Sequence, residues 1–97
     1  MTPLRFEWNE HKNRINKHKH GVSFEEARTV FSDENAMEYP DPDHSDEEDR
    51  FIMLGVSSRL RVLIVSHCYR ESDLVIRIIS ARKANNDEEK DYREIIR

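Results

Sequence analysis

Residues 51–81 read FIMLGVSSRLRVLIVSHCYRESDLVIRIISA, and the fold is decided there. Apolar residues gather in three blocks, Phe51–Val56, Val62–Val65 and Leu74–Ile79. Blocks this short and this rich in Val and Ile are read as strands. Ser58 to Leu60 and Arg70 to Asp73 have the length of hairpin turns. The stretch is therefore expected to be an antiparallel meander of Phe51–Ser57, Arg61–Tyr69 and Leu74–Ala81. Val62–Val65 is apolar at four successive positions, so both faces of that strand are buried and it is placed centrally.

Upstream, Phe6-Glu7-Trp8 alternates apolar and polar and reads as a first strand. Asn9 can cap a helix from Glu10 to about Lys19, polar on nearly every face with Ile15 its one large aliphatic, which belongs on the surface or against a partner. Gly21 supplies a left-handed stop. Ser23-Phe24-Glu25-Glu26 has capping-box spacing, and Phe24, Ala27 and Phe31 form an apolar stripe. Ala36–Tyr39 is a short strand ended by Pro40, and Asp41–Asp46 a loop. A last helix begins near Asn86, with Tyr92, Ile95 and Ile96 as its expected buried stripe. The expected fold is α+β: one domain over residues 1–97, a mainly antiparallel sheet with two N-terminal helices and one C-terminal helix, ordered β-α-α-β-β-β-β-α.

Composition bounds the function. The chain is 36% hydrophobic and 37% charged with a net charge of −4, a balance that approaches disorder were the apolar residues not so clustered. One cysteine, Cys68, excludes an intrachain disulfide, and its apolar and aromatic flanks mark it as core rather than nucleophile. No run approaches the roughly 18 apolar residues of a membrane span, and residues 1–10 carry no apolar signal, so a cytoplasmic location is expected. The charge is unevenly spread: residues 1–20 hold five Lys/Arg against two acids, residues 59–83 six against two, and residues 41–50 six acids and one Arg. A net-acidic chain of this kind can still present a basic face to a phosphate backbone, although the same runs also suit solvated surfaces.

Lys17-His18-Lys19-His20 gathers four nitrogen side chains at a helix end, where lysine can hold phosphate and histidine can move protons. The plainer account is a basic C-terminus satisfying the helix dipole. Arg77 interrupts an apolar strand and points to the face opposite Ile76 and Ile78. Arg61, His67 and Arg77 can form a basic patch on the sheet, or serve as edge charges that discourage aggregation. Arg82 and Lys83 stand on opposite faces at the strand's exit. His11, His18, His20, His44, His67 and Cys68 show no recognised zinc spacing, so no metal is expected. With two glycines in the chain, no phosphate-binding loop or dinucleotide fingerprint exists, and no cofactor is expected.

Several blocks, in order, resemble the BrnT toxin family. They are Phe6-Glu7-Trp8 with Asn13 and Asn16; Lys19-His20-Gly21-Val22-Ser23-Phe24-Glu25-Glu26-Ala27; Phe31 and Asp33; Asp41-Pro42-Asp43-His44-Ser45-Asp46 with Arg50-Phe51; and Arg77-Ile78-Ile79-Ser80-Ala81-Arg82-Lys83-Ala84 with Glu88 and Tyr92. The resemblance implies a RelE-like fold and the toxin of a type II toxin–antitoxin pair, which cuts RNA and arrests growth. It implies a BrnA-type antitoxin that neutralises the toxin, with operator DNA contacted only through that antitoxin. The chain departs from the family's pattern in two places: Asn86-Asp87-Glu88-Glu89 stands where basic residues are usual, and Glu47 replaces a glycine. Metal-independent RNA cleavage needs a base for the 2′-hydroxyl, cations for the phosphoryl oxygens and an acid for the leaving oxygen. On that basis Arg77, Arg82 and Lys19 are expected around one phosphate, with His20 as base or acid and Tyr92 positioning a base or donating a proton. Lys17, Arg61, His67 and Lys83 are the expected RNA contacts, with His44 and His67 in reserve as proton carriers. The competing reading is a non-catalytic module that binds an antitoxin or regulates.

Overall fold

The computed structural model describes residues 4–41, 43 and 49–96, so His44 lies outside the described residues. Its elements are β1 (Arg5–Glu7), α1 (Glu10–His20), α2 (Phe24–Thr29) followed by a 3-10 turn over Val30–Ser32, β2 (Met37–Pro40), β3 (Phe51–Val56), β4 (Val62–Arg70), β5 (Val75–Lys83) and α3 (Asn86–Ile95). The order is the one expected, and the class is α+β. Five strands form one sheet in the order β1-β5-β4-β3-β2, antiparallel except that β1 pairs with β5 in parallel.

The apolar run in β4 does what its pattern requires. Leu63 and Val65 enter one layer with Val22, Phe24, Ala27, Val30, Ile78 and Ala81. Ile64 enters a second layer with Leu54 and Tyr92, against which Val62 also packs. α2 and the 3-10 turn therefore cover one sheet face and α3 part of the other. Gly55 sits under the 3-10 turn, where an added Cβ would come within 2.9 Å of Ala36 Cβ and Val30 Cγ1.

Capping follows the sequence with one exchange. Gly21 ends α1 at φ 70. The Ser23 hydroxyl accepts from the Glu26 amide at 3.0 Å, yet the Glu26 carboxylate turns away to accept from the Ser57 hydroxyl at 2.7 Å and from Arg61 Nε at 2.9 Å. A complete capping box forms instead at Asn85 and Glu88. The buried stripe of α3 reduces to Tyr92, because Ile95 and Ile96 lie past the part of the helix the sheet covers and are 43% and 45% exposed.

The polar helix α1 docks through asparagine. Its buried residues are Asn13 and Asn16. Asn16 Nδ2 donates to the carbonyls of Val22 at 2.9 Å and Ala81 at 2.8 Å, and Asn16 Oδ1 accepts from the Ala81 amide at 3.2 Å. In an antiparallel strand both backbone groups of one residue point the same way. Those of Ala81 point off the outer edge of β5, so the Asn16 amide replaces one residue of a missing strand. Asn13 Oδ1 accepts from the Phe24 amide at 2.8 Å, and its Nδ2 donates to Glu25 at 2.8 Å and Glu10 at 3.1 Å. Asn16→Ala is expected to cost about 2–3 kcal/mol, because it leaves buried backbone groups without partners. Asn16→Leu should fail to restore the loss despite regaining volume. Thermal unfolding of the three proteins checks this, and full stability in the leucine variant would show that burial, not the amide, holds α1.

Candidate functional site

The site is organised by the unpaired part of β5. β1 pairs only with Val75, Ile76 and Arg77. Beyond Arg77, α1 runs beside the strand in the same direction: Asn9 and Lys12 stand near Ile78 and Ile79, and Asn16 holds Ala81. The register places Arg77, Ser80 and Arg82 of β5 with Ser66, Cys68 and Arg70 of β4 on the face that carries α3. A bulge between Ser66 and His67 takes up Ile79 and lets Ile78 and Ala81, three apart, both face α2 and the 3-10 turn.

At the start of this face, Asn9, Lys12, Arg50, Arg70, Arg77, Ile78 and Ile79 line a cleft of about 230 Å³. Four of these side chains are cationic. Glu7 meets the group from β1: its Oε2 accepts from Arg77 Nη1 at 2.7 Å and lies 3.8 Å from Arg70 Nε. Further along, Arg82 grips Glu88 with both terminal nitrogens, at 2.7 and 2.8 Å. That hydrogen bonding raises the pKa of Arg82 and lowers that of Glu88. Tyr39 stands beside the pair, its pKa raised by burial and by the Glu88 charge. Five residues of strand separate Arg77 from Arg82, roughly 16 Å. The two arginines mark the ends of a track along β5, each held by its own carboxylate.

The remaining sequence candidates are distributed as follows. Lys17 and Lys19 are exposed and His20 is half-buried, at the end of α1 that lies toward the exit of β5. Lys83 is exposed at that exit, and its carbonyl accepts from Arg82 at 3.2 Å. Arg61 is spent on structure: it pairs with buried Glu26 and donates to the Gly21 carbonyl at 3.0 Å, closing the end of α1. His67 is fully buried on the helix-covered face, beside the ring of Phe31, with Nε2 2.6 Å from Glu38 and Nδ1 3.1 Å from the Val65 carbonyl. Arg61, His67 and Arg77 therefore form no common patch. Tyr92 donates to Asp33 at 2.5 Å, and burial followed by that bond pushes its pKa up to about 12. In this position it anchors α3. Lys12 and Arg70 escaped the sequence reading, and Glu7 and Arg50 entered it only within the family's blocks, although Arg50 and Arg70 flank strand ends that an antiparallel pairing brings together.

A family model described as "Ribonuclease toxin, BrnT, of type II toxin-antitoxin system" matches residues 8–88. The chain belongs to the BrnT family. Comparison with curated proteins gave no match. Among solved structures, the Brucella abortus ribonuclease toxin BrnT is similar with a TM-score of 0.67 at 22% identity, over 86% of this chain and 99% of that one. The matched segment runs from Trp8 to Glu88 and so includes Lys12, Arg50, Arg70, Arg77 and Arg82. Among the described residues no three His, Cys, Asp or Glu side chains are grouped to hold a metal, and no helix is long and apolar enough to cross a membrane.

Three carboxylates that tie elements of the fold together give it an acid sensitivity. Burial raises the pKa of Glu26 and of Asp33, but bonds from Arg61 and Ser57, and from Tyr92 with the Val56 and Asn35 amides, outweigh it and leave both lowered from 4.5 and 3.8. Glu88 is also lowered from 4.5, chiefly by Arg82. A depressed folded-state value means stability that is complete above the ordinary pKa and lost as pH falls through the folded one. The melting temperature is therefore expected to hold from pH 7 to about 5 and to fall steeply below about 4. Tyr92→Phe should lower stability by about 1–2 kcal/mol near neutrality and make that acid decline shallower, since Asp33 loses a donor. An unchanged acid profile in this variant would remove Asp33 from the account.

Proposed function

We propose that this chain is a metal-independent endoribonuclease toxin that cuts RNA, halts translation and growth in the cytoplasm, and is neutralised by a BrnA-type antitoxin through which alone it meets operator DNA. The observation that carries the reading is the convergence of Lys12, Arg50, Arg70 and Arg77 on the open sheet face of a BrnT family member. Guanidinium forks match phosphate oxygens bidentately and keep their charge at any working pH. A cleft holding three of them stabilises the charge that builds on the phosphoryl oxygens as the 2′-oxygen attacks and the 5′-oxygen leaves. Glu7 holds Arg77 in orientation and gives way to phosphate. Arg82, released from Glu88, takes a second phosphate further along the strand, with Lys19, Lys17 and Lys83 at that end. His20 is the proton carrier of the α1 terminus. Tyr92 supports the track through α3, and Arg61 through the α1 terminus.

Cleavage of long single-stranded RNA in chelator, with growth of expressing cells, tests this. Arg77→Ala should lower cleavage by about 10²–10³ and abolish growth arrest. Arg77→Lys should recover little of it, because an ammonium is a point charge without the planar fork. The melting temperature should change little, since the Arg77–Glu7 pair is part-exposed. Full cleavage by Arg77→Ala, or intact RNA at high concentrations of the unaltered protein, overturns the reading.

A further inference from the structure

A second cleft lies on the other sheet face. Asp49, Phe51, Tyr69 and Asp73 line a space of about 450 Å³. Alternation along the strands puts Phe51 and Tyr69 on this side while their neighbours Arg50 and Arg70 reach the basic cleft. The two rings meet edge to face, with centroids 5.5 Å apart at 67°. The Tyr69 hydroxyl donates to Glu38, which also holds His67, so the ring is fixed from behind. The described lining thus offers two aromatic surfaces and two carboxylates, and no cation.

This chemistry selects a planar cation. A guanidinium stacks on aromatic rings, and its fork meets carboxylates. Phosphate is repelled, so the RNA backbone that suits the opposite face is a poor occupant here. We propose that this cleft docks an arginine side chain of a protein partner, the neutralising antitoxin, an assignment that rests on the toxin reading above. A partner anchored here grips the sheet end whose opposite side carries Arg50 and Arg70, and so reaches the RNA cleft by wrapping one edge.

The test uses the full chain with acetyl-Ala-Arg-Ala-amide as probe, its citrulline counterpart as the uncharged control, and guanosine as the nucleobase control. Ring resonances of Phe51 and Tyr69 are followed by NMR. The arginine peptide is expected to shift both rings saturably, with binding at least tenfold weaker for citrulline and for the Asp49→Asn/Asp73→Asn protein. That variant should keep its melting temperature and its RNA cleavage while losing at least tenfold in affinity for the coexpressed antitoxin. Equal binding of citrulline, absence of any ring shift, or a response to guanosine alone overturns the arginine pocket, the last assigning the cleft to RNA. Neutralisation by antitoxin that is unaffected in the variant overturns the partner assignment. Arginine binding by a protein that cuts no RNA would instead sink the toxin reading and leave the pocket standing.

Discussion

The side-chain amide of Asn16 against the backbone of Ala81 is the contact on which the rest of the arrangement depends. α1 has no apolar face with which to dock, and its buried positions are asparagines. Their amides satisfy backbone groups that burial would otherwise leave without partners. A short β1 leaves the outer edge of β5 open past Arg77, and an exposed edge invites pairing with another chain. Covering that edge with a helix, through a polar pair rather than apolar packing, solves the problem and fixes the helix in register with the strand. Lys12 arrives beside Ile78 and Ile79, and the Lys17–His20 end falls toward Arg82, because Asn16 sits between them.

Burial decides which arginines are free to meet a substrate. Arg61 pairs with Glu26, whose side chain is 5% exposed. Withdrawing Arg61 strands a buried carboxylate, a loss of about 3–5 kcal/mol in comparable cases. Such an arginine does not change partners. Arg77 and Glu7 are 31% and 40% exposed, and Arg82 and Glu88 are 43% and 23% exposed. Pairs this open to water are typically worth about 0–1 kcal/mol, so a phosphate can replace the carboxylate at small cost. The carboxylates still matter, since they hold each fork in position before a substrate arrives. The same comparison explains why charge counting along the chain did not separate Arg61 from Arg77: each is a lone cation in or beside an apolar strand, and only the partner across the fold distinguishes them.

The meander, the central place of Val62–Val65 and the caps at Asn9, Gly21 and Ser23 were legible because each rests on neighbours in sequence. Arg77 was legible as a functional candidate because a cation inside an apolar strand breaks a short pattern. The docking of α1 was not, because hydrophobic periodicity carries no signal for a helix held by amides. The Glu26 side chain was misread as part of a capping box because its true partners, Ser57 and Arg61, are 31 and 35 residues away. His67 was misplaced for a related reason: the pairing of β4 with β5 sets it beside Ile78 on the face opposite Arg77, and only the fold brings Phe31 and Glu38 against it. Lys12, Arg50 and Arg70 come from three separate segments, and only the folded sheet brings them to Arg77.

Alternation of side chains across one pair of strands lets a net-acidic chain hold both signs of charge apart. At the shared end of β3 and β4, Arg50 and Arg70 serve one face while Phe51 and Tyr69 serve the other. A sheet is thin enough that opposite fields on its two sides would cancel at a distance, yet a ligand in contact feels the nearer one, especially at cellular ionic strength, where charges beyond about 8 Å are largely screened. The basic track therefore does not need a basic protein. Nine of the twenty acids are collected in residues 41–50 and at the start of α3, while four cations converge on one cleft. A polyanion and a cationic partner can then address the same molecule from opposite sides, each meeting a surface of complementary sign.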